Sequence, residues 1–216
     1  MRAVLCKELG MPDSLVLEEV PDLVPDAGQV LISVQACGVN FPDTLIIQGK
    51  YQFKPDLPFS PGGEVAGVVK QVGPDVHSLK VGDRVIAFST WGGFAEELVV
   101  DQSRTVMISD KMDFERASAF VLTYGTSYHA LKDRALLRAG ETLLVLGASG
   151  GVGIAAIQLG KALGATVIAA ASNAEKLSVC KQNGADHLIN YSENDLRQSV
   201  KEITQGRGVD VVYDPV

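Results

Sequence analysis

A run of small residues at 148–153 gives the clearest indication of chemistry in this chain of 216 residues. Ala148-Ser149-Gly150-Gly151-Val152-Gly153 fits the pattern [G/A]-x-G-x-x-G. This pattern binds the pyrophosphate of a dinucleotide when it joins a strand to a helix. That context is present: residues 143–147 carry no polar side chain, as a buried parallel strand would, and an apolar, Ala-rich segment follows at helical spacing.

Each small residue has an expected role in this turn. The small residue Ala148 would allow a tight bend, Gly150 would let the backbone approach the pyrophosphate, and Gly153 would let the helix pack closely on the strand. The phosphates would then lie at the helix N-terminus, where unpaired N–H groups and the helix dipole favour negative charge. The sequence therefore predicts a dinucleotide site at this turn.

The residues after the second strand indicate which dinucleotide binds. An NAD enzyme normally has Asp or Glu at the end of this strand to bind the ribose 2′-hydroxyl. Here the strand ends in Ser172, and Lys176 lies early in the next helix, where it could reach a 2′-phosphate. Glu175 is expected to face solvent. We therefore predict NADPH, although Lys176 alone would also suit an ordinary exposed helix position.

Tyr191, after the third strand, could flank the adenosine end of the cofactor. Its alternative role is that of a partly buried aromatic residue at a strand end.

Composition limits the other functions. A net charge of −7 argues against a general nucleic-acid or anionic-membrane binder. No apolar run approaches the roughly 20 residues that span a bilayer, and the N-terminus has neither a secretory nor a transit pattern. Cys6, Cys37 and Cys180 form no disulfide framework, which favours a reducing, cytoplasmic compartment.

Hydrophobic periodicity divides the chain into two domains, 1–121 and 122–216. The first reads as short strands separated by Gly and Pro, which suggests a barrel-like β unit. We expect strands near 14–20, 29–39, 62–73, 84–88 and 94–100, with Leu15 and Leu17 on the buried face of the first, and a short helix at 41–48 capped by Asn40.

The second domain alternates strands with helices, the pattern of a parallel α/β sheet. After helical segments at 113–119 and 122–135, strands are expected at 143–147, 166–171, 187–190 and 209–213, with helices at 152–163, 174–183 and 194–204. The full dinucleotide fold uses six strands, so four candidates predict a C-terminally truncated domain.

Several further motifs carry a family resemblance along essentially the whole chain. They are Gly38-Val39-Asn40-Phe41-Pro42-Asp43, Pro61-Gly62-Gly63-Glu64-Val65-Ala66-Gly67, Val81-Gly82-Asp83-Arg84-Val85, Gly151-Val152-Gly153 and Val211-Val212-Tyr213-Asp214. With these motifs the chain resembles the zinc-independent quinone oxidoreductase (zeta-crystallin-like) branch of the medium-chain dehydrogenase/reductase superfamily. The resemblance implies a GroES-like catalytic domain beside a Rossmann domain, with the active site in the cleft between them.

The zinc alcohol dehydrogenases of that superfamily have a cysteine ligand where this chain has Asn40, and a histidine where it has Gly63. A catalytic zinc needs three protein ligands, and this chain lacks two of the three that the zinc enzymes use. No CxxC occurs for a structural zinc lobe. His77, His129 and His187 are too far apart in sequence to suggest a site. We therefore expect no metal.

Without a metal, hydrogen-bond donors must polarise the substrate carbonyl. The resemblance assigns catalytic roles to Asn40, at the substrate carbonyl or the nicotinamide carboxamide, and to Tyr51, which could orient the substrate or donate a proton. It places Thr126 at the nicotinamide. Alternatively, Asn40 is only a helix cap, Tyr51 is an aromatic residue at the rim of the site, and Thr126 is an ordinary helix threonine. Asp43 and Glu64 are expected to serve the fold, and Cys37 to be a small buried residue.

These observations together predict an NADPH-dependent reductase that transfers hydride to a quinone or an α,β-unsaturated carbonyl. Two alternatives stay open: an enoyl-thioester reductase of the same superfamily, for which we see no clear basic patch, and a nucleotide-binding sensor or partner protein with little turnover. The resemblance further implies a homodimer when the full-length second domain is present.

Overall fold

The computed structural model describes residues 1–215, so Val216, the last residue of the second predicted domain, lies outside the described residues. The chain divides into two compact units, Met1–Leu122 and Thr123–Val216. The first is β-rich and the second alternates strands with helices. The assignment of functional domains to 1–121 and 122–216 stays a prediction.

The first unit contains seven strands and two short α-helices. The strands are β1 (Arg2–Leu5), β2 (Val16–Glu19), β3 (Gln29–Gly38), β4 (Glu64–Val72), β5 (Arg84–Phe88), β6 (Glu97–Asp101) and β7 (Thr105–Met107); the helices are α1 (Phe41–Ile46) and α2 (Phe114–Ala117). Short 3-10 turns occur at Pro12–Ser14 and Gln102–Arg104.

Five of these strands form one antiparallel sheet in the order β6-β3-β4-β5-β7, and β1 pairs with β2. In the centre of the sheet Ile32 pairs with Val69 on one side and with Leu98 on the other. All three side chains are buried in one core cluster. Backbone hydrogen bonds also join β1 to residues 94–96, just before β6, so the β1–β2 pair continues from the end of this sheet.

For the strand expected near 14–20, the predicted burial of Leu17 was wrong. β2 is confirmed at Val16–Glu19, but Leu17 is 64% exposed. Among residues 1–215, β2 is hydrogen-bonded only to β1, while β1 also bonds to residues 94–96, so β2 lies at an edge where Leu17 stays open to solvent.

As far as residue 215, the second unit contains four parallel strands, ordered β10-β9-β8-β11. Its strands are β8 (Thr142–Val145), β9 (Thr166–Ala171), β10 (His187–Asn190) and β11 (Val211–Tyr213); its α-helices are α3 (Thr126–Tyr128), α4 (Gly151–Ala162), α5 (Ala174–Gln182) and α6 (Leu196–Ile203). The chain is π-helical on both sides of α3, over Val121–Gly125 and His129–Arg134.

Helices cover both faces of this sheet. Leu143 and Val145 face one cluster, which includes Ile157 of α4, whereas Leu144 faces the other, which Val200 of α6 contacts. A strand with both faces buried must be apolar at every position, which explains the unbroken apolar run before the small-residue turn. The sheet therefore holds that turn rigidly at the carboxyl end of β8. In the described part of the chain no helix is long and apolar enough to cross a membrane.

Candidate functional site

The turn after β8 is built around a backbone reversal at Gly147. Gly147 has φ +54°, a conformation that favours glycine, and its carbonyl accepts a 3.0 Å hydrogen bond from the Gly150 N–H. Ala148 is fully buried, and its N–H donates to the Ala170 carbonyl of β9 at 3.2 Å. The expected role of Ala148 in the bend did not include Gly147, which supplies the left-handed backbone conformation of this turn. The position of Gly147 at the end of the apolar run 143–147 is the sequence feature that could have indicated this role.

Two glycines of the motif differ in the space around them. A Cβ at Gly153 would lie 2.6 Å from the Gly147 carbonyl oxygen and 2.7 Å from the Ala148 carbonyl carbon and oxygen. No such contact is possible, so Gly153 lets α4 pack directly against the turn. A Cβ at Gly150 would meet only the Gly147 oxygen, at 3.4 Å, and Gly150 is exposed. The backbone at Gly150 is therefore open to a ligand.

The N-terminus of α4 is suited to an anion. Its first intrahelical hydrogen bond runs from the Ile154 N–H to the Gly150 carbonyl at 2.8 Å, so the N–H groups of residues 151–153 precede the helical ladder. The first turn carries no acidic residue. Ser149 and Val152 are half-buried, and Gly151 is exposed. The positive end of the helix dipole is thus uncompensated, as a pyrophosphate site requires.

A buried hydroxyl ties the preceding helical segment to this helix end. Ser127, next to the exposed Thr126, donates a 2.8 Å hydrogen bond to the Val152 carbonyl and lies 3.1 Å from the Tyr213 hydroxyl. Thr126 is therefore one residue away from a direct contact with the glycine turn. Tyr213 belongs to one of the family motifs, but no local pattern relates it to Ser127, which lies 86 residues earlier in the chain.

The residues predicted to bind the adenosine end lie at the carboxyl ends of two adjacent strands. Lys176 Nζ is 3.3 Å from the Ser172 hydroxyl, and the Asn173 side chain caps α5 by accepting the Lys176 N–H at 2.9 Å. Tyr191 is 47% exposed, and its N–H donates to the Ala171 carbonyl at 3.2 Å. Ser172, Lys176 and Tyr191 are thus brought together. Glu175 is exposed, as expected.

In the first unit, the two residues predicted to be catalytic line one pocket. The wall consists of Asn40, Pro42, Asp43, Tyr51, Phe53, Gly63, Phe88, Ser89, Thr90 and Leu122. Tyr51 is half-buried, and its ring lies 5.9 Å from that of Phe53 at 58°. The pocket thus combines aromatic surface with two hydrogen-bonding groups, the Tyr51 hydroxyl and the Asn40 amide.

Asn40 lies both at this pocket and at the N-cap of α1, so the cap that we considered as an alternative role is also present. The Asp43 carboxylate accepts the Asn40 N–H at 2.7 Å, and the Asp43 N–H donates to the Asn40 carbonyl at 3.0 Å. The Asn40 side chain donates from Nδ2 to Glu64 Oε2 at 3.4 Å.

Two carboxyl groups are buried around Asn40. Asp43 is 6% exposed and Glu64 is fully buried. Burial raises the pKa of both groups, although backbone N–H donors oppose the shift. Those donors include Leu122 at 3.1 Å and Val121, both of which bond to Glu64 Oε1. The Asn40–Glu64 contact is the feature of this site that sequence reasoning missed.

Cys37 does not have the properties of a nucleophile. Burial, together with the negative charges of Asp43 and Glu64, raises the pKa of its thiol to about 12. The reactive species is the thiolate, so Cys37 is unreactive at neutral pH.

Within residues 1–215, no three His, Cys, Asp or Glu side chains lie close enough together to hold a metal ion. Gly63, where the zinc enzymes have a histidine, forms part of the pocket wall.

Two family models match the chain. The alcohol dehydrogenase GroES-like domain matches residues 26–110, and the zinc-binding dehydrogenase model matches residues 151–216. Among curated proteins, the chain is 42% identical to quinone oxidoreductase-like protein 2 of Bos taurus and 39% identical to the quinone oxidoreductase of Homo sapiens. It aligns over 100% and 99% of its own length but spans only 61% and 66% of theirs.

Solved structures agree with the fold. A probable oxidoreductase from Mycobacterium abscessus superposes with a TM-score of 0.94 at 42% identity, covering 100% of this chain and 69% of that one. The quinone oxidoreductase of Escherichia coli, solved in complex with NADPH, superposes with a TM-score of 0.94 at 35% identity. The match covers 99% of this chain and 66% of the Escherichia coli chain. The predicted α/β fold, with a GroES-like and a Rossmann unit, is therefore confirmed. The chain belongs to the zinc-independent quinone oxidoreductase branch of the medium-chain dehydrogenase/reductase superfamily.

Proposed function

We propose that the protein is an NADPH-dependent reductase of quinones or α,β-unsaturated carbonyls. The observation that carries this proposal is the anion-binding turn before α4, together with Ser172 and Lys176, instead of an acid, at the end of the adjacent strand β9. The names of the relatives and the NADPH complex of the Escherichia coli enzyme support the same function.

The pyrophosphate would lie against Gly150 and the free N–H groups at the start of α4. Gly150 leaves its backbone open, whereas Gly153 keeps the helix end against the strand. Ser149, Gly151 and Val152 complete this turn. Because the donors are backbone groups held by a rigid sheet, they need little reorganisation to bind phosphate.

The 2′-phosphate would bind between Lys176 and Ser172, and Tyr191 would flank the adenosine. A lysine ammonium supplies one positive charge and three donors, and the serine hydroxyl a further donor. An NAD enzyme would instead use an acid to hold the 2′-hydroxyl, and that acid would repel the phosphate.

The acceptor would bind in the pocket of Asn40 and Tyr51, and Thr126 would contact the nicotinamide. Bound NADPH supplies the hydride. The acceptor then gains negative charge on its carbonyl oxygen, and donors aimed at that oxygen stabilise the transition state. The Asn40 amide would supply such a donor, and the Tyr51 hydroxyl would orient the acceptor or donate the proton that completes the reduction.

We also propose a cellular compartment and an oligomeric state for the enzyme. All three cysteines are free thiols, which fits a reducing, cytoplasmic compartment. We also propose that the protein with its full-length second domain is a homodimer, a property that light scattering would measure.

The test is to follow NADPH oxidation by its absorbance in the presence of 9,10-phenanthrenequinone. The wild type is compared with NADH as donor and with an Asn40→Ala variant. We expect acceptor-dependent oxidation that is fast with NADPH, slow with NADH, and reduced about 10²-fold or more in the variant, the typical effect of removing one oxyanion donor.

Other outcomes would contradict the proposal. NADPH binding without turnover of any acceptor would indicate a sensor. Turnover of enoyl thioesters alone would indicate the thioester reductase. No binding of NADPH by folded protein would exclude the cofactor site.

A further inference from the structure

Glu64 is a carboxyl group that is fully buried without a cation beside it. It lies at the start of β4 with 0% exposure, and no ion pair to it occurs among the described residues. A buried charge is tolerated only when hydrogen-bond donors surround it. The donors to Glu64 therefore show what it does.

The two carboxylate oxygens of Glu64 differ in their partners, and the Phe120 backbone also donates to this carboxylate. Oε1 accepts the backbone N–H groups of Val121 and Leu122, the latter at 3.1 Å. Oε2 accepts Nδ2 of Asn40 at 3.4 Å. One oxygen thus anchors the carboxylate to the backbone, and the other faces a side chain that lines the pocket.

This division fixes the orientation of the Asn40 amide. An ionised carboxylate only accepts hydrogen bonds, so the amide must turn its NH₂ group toward Glu64. The opposite orientation would place the amide oxygen against an anionic oxygen. The hydrogen bond is long, at 3.4 Å. Repulsion between the amide oxygen and the carboxylate inside a buried site nevertheless gives the opposite orientation of the Asn40 amide a higher energy.

We propose that Glu64 is a positioning residue, which sets the direction of the Asn40 amide at the pocket through Oε2 while Oε1 holds it to the backbone. The simpler alternative is that Glu64 only satisfies the N–H groups of Val121 and Leu122. This inference rests on the proposed function for its kinetic consequences, but the contact itself can be tested without turnover.

The test uses Glu64→Gln, which keeps the shape of the side chain. The amide oxygen of the variant would stay on the two backbone N–H groups, because only an oxygen can accept them. Its NH₂ group would then face Asn40, and two donors would oppose each other. The variant thus keeps the backbone anchor and reverses the polarity presented to Asn40.

We expect Glu64→Gln to lower kcat about tenfold with little change in KM for NADPH. In the Asn40→Ala background the same substitution should change kcat less than twofold, since its target is gone. Independently of activity, the side-chain ¹⁵N–H₂ resonances of Asn40, assigned by comparison with Asn40→Ala, should shift and exchange faster in Glu64→Gln.

Two results would overturn the proposal: unchanged Asn40 resonances in folded Glu64→Gln, or an equal loss of kcat in both backgrounds. If the wild type reduces no acceptor, the proposed function fails while the resonances still test the contact. If Glu64→Gln does not fold, Asn40→Asp combined with Glu64→Gln restores a donor–acceptor pair. We expect that double variant to fold with a higher Tm than Asn40→Asp alone, and a lower Tm would also contradict the proposal.

Discussion

At the end of β9, two side chains lie close enough to share one anion. Lys176 Nζ and the Ser172 hydroxyl are 3.3 Å apart, and the Asn173 cap fixes the start of α5, on which Lys176 lies. A charged hydrogen bond to phosphate contributes roughly 1.5–3 kcal/mol. This residue pair is therefore expected to decide between NADPH and NADH.

Replacing Lys176 with Ala should weaken NADPH binding about tenfold or more and leave NADH binding nearly unchanged, because NADH has no 2′-phosphate. Titration of nicotinamide fluorescence would measure both Kd values. Lys181→Ala is the matched control, since Lys181 lies at the other end of α5 with its Nζ near the Ala185 carbonyl. Equal weakening of both cofactors by Lys176→Ala would refute a phosphate-specific role.

The Cys37 thiol links a single residue to the pH dependence of stability. Its native pKa is about 12, against an ordinary value of 9.0. Above about pH 9 the unfolded chain loses this proton while the native chain keeps it. The stabilisation from Cys37 is therefore complete below pH 9 and is lost as the pH rises toward 12, by up to about 1.4 kcal/mol per pH unit.

Urea unfolding of the wild type between pH 8 and pH 10.5 should accordingly show a steeper alkaline loss of stability than that of Cys37→Ala. The control is Val34→Ala on the same strand, which removes apolar volume but no titrating group, and it should keep the slope of the wild type. If Cys37→Ala keeps that slope as well, the native thiol does not have a raised pKa.

At the scale of elements, the join between β8 and α4 combines two requirements in neighbouring residues. Gly153 is needed for packing, because a Cβ there would lie 2.6 Å from the Gly147 oxygen. Gly150 is needed for access of the pyrophosphate to the backbone. It is exposed, and a Cβ there would contact only the Gly147 oxygen, at 3.4 Å. Folding and binding thus depend on different glycines of one motif.

Two alanine substitutions separate these requirements. Gly153→Ala should lower the free energy of unfolding by roughly 1–3 kcal/mol, as overpacking does. Gly150→Ala should change it by less than about 1 kcal/mol but weaken NADPH binding, since the methyl group occupies the space for pyrophosphate. Urea denaturation and cofactor titration measure the two effects. The opposite pattern, a stable Gly153→Ala and an unfolded Gly150→Ala, would contradict the assignment.

Elements with strong local patterns were predictable from the sequence. β9 and β10 have the expected bounds, and α4 begins one residue before its expected start. β9 and α4 are apolar or periodic segments between clear turn signals, and β10 is a short segment between the Gly184 turn and Tyr191, so local residues determine all three. β2 and the π-helical segments were not predictable in detail, because their burial and hydrogen bonding depend on distant neighbours.

The same distinction applies to the candidate site. Motifs alone indicate Asn40 and the glycine turn, whereas the partners of Glu64 are 24 and 58 residues away in the chain. No local pattern encodes such contacts. Only the fold brings the N-cap of α1, the start of β4 and the 121–122 backbone together.

At the scale of the whole molecule, the net charge of −7 does not conflict with an anionic cofactor. The local donors decide binding: the start of α4 has no acidic residue, and Lys176 contributes a cation. The overall negative charge slows the encounter with NADPH and is screened by salt, but it does not alter the short-range contacts.

Hydride transfer from NADPH to an electron-poor acceptor is the reaction that we propose for this protein. Its most direct test is reduction of cyclohexenone with NADPH that carries deuterium at both C4 positions, with the product analysed by mass spectrometry. We predict one deuterium at the β-carbon of the product and slower oxidation than with unlabelled NADPH. NADPH-bound protein that forms no labelled product from the enone, and likewise leaves 9,10-phenanthrenequinone unreduced, would contradict the claim.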